Sequence, residues 1–221
     1  MIVLKGELWR KSAKAKDKKQ KRKEESERTD RCWKLVDEAD RVEDVLKDFV
    51  SFKKFTRNGL NLDLECFTSA NLDPDILNWA FLLTKENMQN QYESNWGWND
   101  KEKLKELKED RIKFLVAFDE NKKPVAFTSF RFDLDFGEPV VYCYEIQLIN
   151  SVQRKGLGKF LIQILHLFAI RYQMHKVVAT VLHTNTASRN FFIEKLKYTT
   201  DDTSPLDECY EIISKSVTQR N

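Results

Sequence analysis

A six-residue run, Gln153-Arg154-Lys155-Gly156-Leu157-Gly158, separates an alternating apolar segment, Val140–Leu148, from a stretch in which Phe160, Leu161, Ile164, Leu165, Phe168 and Ala169 recur at helical period. A strand, a glycine-opened turn and an amphipathic helix in direct succession restrict the chain to folds in which a helix starts beside a strand end. The first N–H groups of such a helix have no partner inside it and point out of its N-terminus. With Arg154 and Lys155 alongside, they suit an anion such as a phosphate. The run lacks the third glycine of G-x-G-x-x-G and the Gly-Lys-Ser/Thr of a P-loop. Taken alone, it is also compatible with an ordinary strand-to-helix turn.

The neighbouring segments predict the rest of the order. Residues 24–48 carry Trp33, Val36, Val42, Val45 and Leu46 at three- and four-residue spacings, which predicts an amphipathic lead-in helix. Arg57-Asn58-Gly59 marks a turn before the alternating strand 60–66. Asp73-Pro74 opens a helix to about Gln91, an aromatic loop spans Tyr92–Trp98, and a short charged helix covers 100–110. Strands are expected over 112–118, 125–136 and 140–148 as an antiparallel meander, then a helix to about Tyr172 and a strand over 177–182. A helix over 186–196 and a closing hairpin around Tyr198 and Tyr210–Ile213 complete the chain. The fold class is α/β, or α+β with a mixed sheet, in one domain at 57–216. Residues 1–28 form a basic extension, flexible or helical, residues 29–56 a lead-in helix packed on the domain, and residues 217–221 a tail.

Among 221 residues no apolar stretch approaches the roughly 20 that a membrane span requires, and Met1–Leu4 is too short for a secretory segment. An intracellular chain is expected. Cys32, Cys66, Cys143 and Cys209 stand far apart with no C-x-x-C pair or adjacent histidine, so reduced thiols are expected and neither a metal nor a disulfide framework. Residues 10–23 carry nine Lys/Arg against one Asp. With +3 overall and +8 in this block, the remainder carries −5, which suits a cationic substrate better than a polyanion. The block reads as a solvated tail or as a nuclear-import or nucleic-acid patch.

The pattern Q-x-x-G-x-G at 153–158, after a strand and before an amphipathic helix, resembles the acetyl-CoA signature of the GNAT acetyltransferase superfamily. Asn185 after the next strand, followed seven residues on by Phe192, fits the same resemblance. It implies acetyl-CoA as co-substrate, held by Gln153, Arg154, Lys155, Gly156, Leu157, Gly158 and Asn185, with a backbone N–H from Ile146, Gln147 or Leu148 meeting the oxyanion. Phe192 occupies the position that often holds a catalytic Tyr, so no tyrosine there protonates the leaving thiolate. A thiol of pKa about 8.5 is a tolerable leaving group without it.

Longer stretches resemble the N-alpha-acetyltransferase D family, the histone-selective N-terminal acetyltransferases: residues 10–22, Arg57–Asn61, Trp96-Gly97-Trp98, Phe130–Asp133, Tyr142-Cys143-Tyr144-Glu145 and Arg154–Leu165. This resemblance runs from about residue 10 to 215. It implies acetyl transfer to the α-amine of the N-terminal Ser of histone H4 and of the A-type H2 histone, whose tails begin Ser-Gly-Arg-Gly, with Glu145 as general base. It carries substrate contacts onto Tyr92, Trp96, Asp133, Tyr142, Tyr144, Thr180 and Tyr210, although the loop holding Tyr92 is one residue shorter here. Shuttling between ribosome-associated cytoplasm and nucleus belongs to the same resemblance. Relatives begin with Gly after the initiator Met, whereas Met1–Leu8 precede Trp9 here, so no myristoylated membrane attachment is expected.

The residue chemistry stands beside that resemblance. Strict alternation puts Tyr142, Tyr144 and Ile146 on one face of their strand and Cys143, Glu145 and Gln147 on the other. A carboxylate in an apolar strand requires solvent or a partner, so Glu145 is a site residue or a structural ion-pair member. A carboxylate base suffices for an α-amine, whose pKa is about 7.7–8.0, far better than for a lysine amine near about 10.4. Asp133 can meet an arginine and the Trp96 loop can wall small residues, while an exposed Asp133 can also be a turn-side acid. Trp98 and Phe132 read as core, and His166, His175 and His183 stand apart from any nucleophile. Two other classes remain open: an acetyltransferase for a different amine, and a nucleic-acid-binding protein using the basic block.

Overall fold

A computed structural model of the chain describes the backbone of residues 2–217 and the side chains of residues 18–217. The basic side chains up to residue 17 and the tail beyond Val217 lie outside the described residues. Helix α1 spans Ile2–Asp40. A 3-10 turn at Val50–Phe52 leads into strand β1, Lys54–Arg57, and then follow β2 (Leu60–Thr68), α2 (Pro74–Glu93), α3 (Asp100–Leu107), β3 (Lys113–Phe118), β4 (Pro124–Asp135) and β5 (Glu138–Leu148). After a second 3-10 turn come α4 (Leu157–Arg171), β6 (Lys176–Leu182), α5 (Thr186–Arg189), a π-helical segment (Asn190–Lys195), β7 (Thr199–Thr200) and β8 (Tyr210–Ser216).

All eight strands form one mixed sheet in the order β1-β2-β3-β4-β5-β6-β8-β7. The pairs from β1 to β5 are antiparallel, β5 and β6 run parallel, and β8 enters antiparallel between β6 and β7. The expected α/β mixed sheet is therefore the observed one. One face packs on α1 and α4 around Val36, Phe130, Phe132, Val141, Leu161 and Phe168. The other packs on α2 and α3 around Phe81, Leu107, Phe114 and Phe127. Phe132 is core, as expected, and Trp98 packs at the edge of the second cluster.

The lead-in helix expected over 29–56 ends at Asp40, and Lys54–Arg57 is a strand paired with β2. Cys32, Val36 and Ala39 are the buried stripe of α1, whereas Val45 and Leu46 reach the same core from the turn that follows it. Buried Lys113 on β3 donates to the carbonyls of Asp40 and Val42 at 2.9 Å each, satisfying groups that the helix end leaves open. That clasp completes the helix end, and a side chain 73 residues from Asp40 is invisible to local periodicity. Among the described residues no helix is long and apolar enough to cross a membrane, and no cluster of His, Cys, Asp or Glu is placed to hold a metal ion.

Candidate active site

The site grows from two interruptions in the sheet. β5 pairs with β6 only from Val140 to Cys143, so the strands part beyond Cys143 while β6 continues against β8. β5 is also bulged against β4: Ser129 faces Glu145 and Phe130 faces Cys143, leaving Tyr144 as the extra residue. The bulge exchanges the faces. Cys143 lies in the α1/α4 core and Ile146 packs against it, while Glu145 and Gln147 reach side chains of α2. The alternation that placed Cys143 with Glu145, and Tyr144 with Ile146, is thereby corrected: Tyr144 packs on the α2/α3 side with Glu145. Since the Ile149 N–H bonds β4 and the Leu148 carbonyl turns away to accept from Asn87 and Gln153, the N–H groups of Ile146 and Leu148 point into the gap.

A cavity of about 570 Å³ occupies this gap. Glu145, only 5% exposed, lines it. Its Oε1 accepts from the Tyr92 hydroxyl and from Lys103 Nζ, each at 3.1 Å, and its Oε2 accepts from Gln147 Nε2 at 2.8 Å. Lys103 also donates to both oxygens of Glu106 at 2.9 and 2.8 Å, with its ammonium 4.9 Å from the Tyr92 ring centre. Glu145 is thus an ion-pair member and a cavity residue at once. Lys103 and Glu106 went unread in the sequence, because 100–110 carries the charge density of a solvated helix.

The expected substrate residues converge here. Tyr92, Trp96, Asp133, Tyr142, Tyr144 and Thr180 all line the cavity, and Tyr210 stands edge-on to Trp96 at 5.6 Å. Several of their polar atoms are already engaged. The Tyr142 and Thr180 hydroxyls bond each other at 2.6 Å. Burial, then the Glu145 carboxylate, pushes the Tyr92 phenol far above its ordinary range, so it remains a neutral donor to Glu145. Asp133 accepts from Arg131 Nε at 3.0 Å and from the Leu134 N–H at 2.8 Å. It is therefore a paired acid rather than a free turn-side one.

The expected coenzyme residues divide between two places. Ile146, Gln147 and Asn185 line the cavity, but the Gln147 side chain serves Glu145 and Asn87, and Asn185 Oδ1 caps α5 through the Ser188 N–H. Leu148 and Gln153–Gly158 lie along the route from the end of β5 to the start of α4. Gly156 is the N-cap of α4 at φ +88° with no side-chain cap bond, so the first N–H groups of that helix are left for an anion. Asn58 Nδ2 secures the loop on the Lys155 carbonyl at 2.9 Å. Gly158 differs: a β-carbon there would meet the Phe191 ring at 3.4 Å and Ile146 Cδ1 at 3.9 Å, both ordinary contacts, so the helix start lies against the open edge of β5 without requiring the glycine. These features fit a coenzyme whose phosphates sit on α4 and whose thioester reaches the gap.

Phe192 is buried on the cavity wall and has no proton to give. The nearby Tyr198 hydroxyl is engaged by His166 Nε2 at 2.9 Å, and burial drives the His166 pKa down to about 4.

Residues 77–198, more than half of the chain, match the family model described as "Acetyltransferase (GNAT) family". Among solved structures, NAA60 from Arabidopsis thaliana in complex with a bisubstrate analogue is 9% identical, with a TM-score of 0.51, covering 71% of this chain and 99% of that one. The ribosomal-protein-S18-alanine N-acetyltransferase from Escherichia coli is 17% identical, with a TM-score of 0.50 and coverage of 72% and 96%. PaiA N-acetyltransferase from Thermoplasma acidophilum in complex with coenzyme A is 16% identical, with a TM-score of 0.52 and coverage of 70% and 99%. At these identities the likeness concerns the fold. With the family model spanning the parted strands, the bulge and the cradle, the chain belongs to the GNAT acetyltransferase family.

Proposed function

We propose that this acetyltransferase acts on protein N-termini, moving acetyl from acetyl-CoA directly to the α-amine of the N-terminal Ser of histone H4 and of the A-type H2 histone. The observation that carries this reading is the Glu145 carboxylate, lining an aromatic-walled cavity beside two free β5 N–H groups. In a ternary complex the neutral amine nitrogen attacks the thioester carbon, and Glu145 takes the amine proton directly or through a water. The oxyanion is met by the Ile146 or Leu148 N–H. The C–S bond then breaks, and coenzyme A leaves as a thiolate that takes a proton from solvent. Helix α4 orients the coenzyme, lowering the entropic part of the barrier.

Substrate selection follows from the walls. Asp133 retains lone pairs beyond those used by Arg131 and Leu134, and these suit the guanidinium of a Ser-Gly-Arg-Gly tail. Trp96, on the cavity wall and backed edge-on by Tyr210, offers an aromatic surface to its small residues. The close resemblance to the N-alpha-acetyltransferase D family supports the same substrate, along with action in cytoplasm and nucleus. A Ser-Gly-Arg-Gly-Lys peptide with a free N-terminus should be acetylated, and the same peptide blocked at its N-terminus should not. Acetylation of the blocked peptide at lysine, or equal rates on unrelated N-termini, would replace this reading with a broader amine acetyltransferase.

A further inference from the structure

We infer that Lys103 is the positioning residue of the base: its ammonium, clamped between Glu106 and the Tyr92 ring, holds the Glu145 carboxylate facing the cavity and supplies its counter-charge. The inference rests on the general-base reading of Glu145 and adds what makes a base of a carboxylate that is almost wholly out of water. Three donors reach Glu145, two on Oε1 and one on Oε2, so both of its oxygens are fixed and the carboxylate plane cannot rotate freely. Of the three, Tyr92 and Gln147 are neutral and Lys103 is charged. A buried carboxylate with neutral donors alone tends toward its protonated form, and an ammonium about 3 Å away opposes that tendency directly.

Among the described residues no other group facing Glu145 supplies that charge. From α2 comes the Tyr92 phenol, held neutral, and from the same side of β5 the Tyr144 phenol, pushed up to about 12 by burial. The residue opposite on β4 is Ser129, and the β6 side of the cavity presents Thr180 and Val181. Glu106 on α3 is the remaining ionisable neighbour. Burial works against the charge on Lys103, yet the Glu145 and Glu106 carboxylates together hold it above the ordinary lysine range.

Glu106 has a distinct part in this. It binds Lys103 through both oxygens, and its side chain is 36% exposed against 4% for Glu145. When Glu145 takes the amine proton, its negative charge disappears, and a cation with no second partner would be left buried and unpaired. With Glu106 in place, Lys103 keeps a counter-ion throughout turnover. The three groups carry one net negative charge before proton transfer and none after it. Both states are paired, so the proton can arrive and depart without rebuilding the site.

The test compares wild type, Lys103→Met, Lys103→Arg and the double variant Lys103→Met/Glu106→Gln, which leaves no orphaned carboxylate on α3. The first readout is the side-chain carboxyl 13C titration of Glu145 in the full chain, its signal assigned by its loss in Glu145→Gln. The second is the pH profile of kcat/KM on the free Ser-Gly-Arg-Gly-Lys peptide. Lys103→Met and the double variant should move both the titration and the acid limb to higher pH. On the acid side of that limb their kcat/KM should fall about tenfold for each pH unit the limb moves. Lys103→Arg should stay near wild type, and acetyl-CoA affinity should be the same in all four. Titration and acid limb coinciding with wild type in both Met variants would overturn the inference. Undiminished turnover in Glu145→Gln would instead remove the general-base reading, which the titration does not depend on.

Discussion

Gly156→Ala separates the backbone requirement of the coenzyme cradle from its steric one. Gly156 sits at φ +88°, but an added β-carbon would have Asn58 Nδ2 at 3.6 Å and Phe55 Cζ at 3.9 Å as its nearest neighbours. Both are ordinary contacts, so crowding contributes little. What an alanine loses is the left-handed conformation, which costs an L-residue about 1–2 kcal/mol. In a domain of this length that corresponds to a fall in Tm of roughly 2–8 °C. The alternative is relaxation to negative φ, which rotates the peptide whose carbonyl Asn58 holds and turns the first N–H groups of α4 away from the anion. Either course has a readout: urea unfolding detects the first, and calorimetric titration with coenzyme A detects the second. Gly158→Ala is the control, because its φ is unexceptional and its helical position gains as much as about 1 kcal/mol in propensity. A Gly156→Ala variant as stable as wild type, with unchanged coenzyme A affinity, would refute the role assigned to that turn.

Glu145→Gln should lower kcat by about 10²–10⁴-fold, the usual range for a general base, while leaving the acetyl-CoA KM near wild type. Steady-state kinetics on both substrates checks this, and wild-type turnover would exclude the base assignment. Asp133→Ala should raise the peptide KM roughly tenfold or more, with the acetyl-CoA KM unmoved, since a charge-assisted hydrogen bond to the substrate arginine is worth about 1.5–3 kcal/mol. An unaltered peptide KM would contradict that contact. His166 is buried against Tyr198 with its pKa lowered by burial to about 4, so the unfolded chain binds the proton first as pH falls. Stability should therefore decline from about pH 6.5 toward pH 4. His166→Gln should flatten that part of the urea-midpoint curve, and an identical slope in both proteins would count against the buried neutral imidazole.

How much of this could be read from the chain differs from element to element, and the reasons are physical. The β3–β5 meander and α4 were legible because each buries one face, and burial writes period 2 or 3.6 directly into the residue order. The Asp73-Pro74 start of α2 was legible because a cap is a local device: Asp73 Oδ1 takes the Asp75 N–H at 2.7 Å. The end of α1 was not, since the buried ammonium of Lys113 completes it from β3. Six of the seven expected substrate residues meet in one cavity, and these follow from the family resemblance rather than from any periodicity. Lys103 carried no such mark. Within Asp100–Leu107, Lys101, Lys103 and Lys105 look alike, and only the packing of α3 on α2 makes one of them a buried cation.

The bulge at Tyr144 shows why a correct strand can still lead to a misplaced site. Alternation assumes that every residue of β5 takes its turn opposite one residue of β4, and a single unpaired residue breaks the count for all that follow. Upstream, odd-numbered Val141 and Cys143 fill the core under α4. Downstream, that place passes to even-numbered Ile146 and Leu148. Glu145 is thereby released from an apolar core, where strict alternation puts it beside Cys143, and delivered to Tyr92, Lys103 and the cavity. The same break in register falls where β6 parts from β5, so the position that gains a carboxylate also gains free backbone donors. Base and oxyanion donors are thus consequences of one irregularity. Insertion of a residue after Ser129, which would give Tyr144 a partner and restore the count, should return Glu145 to the core face and abolish turnover, even where helix α4 still binds coenzyme A.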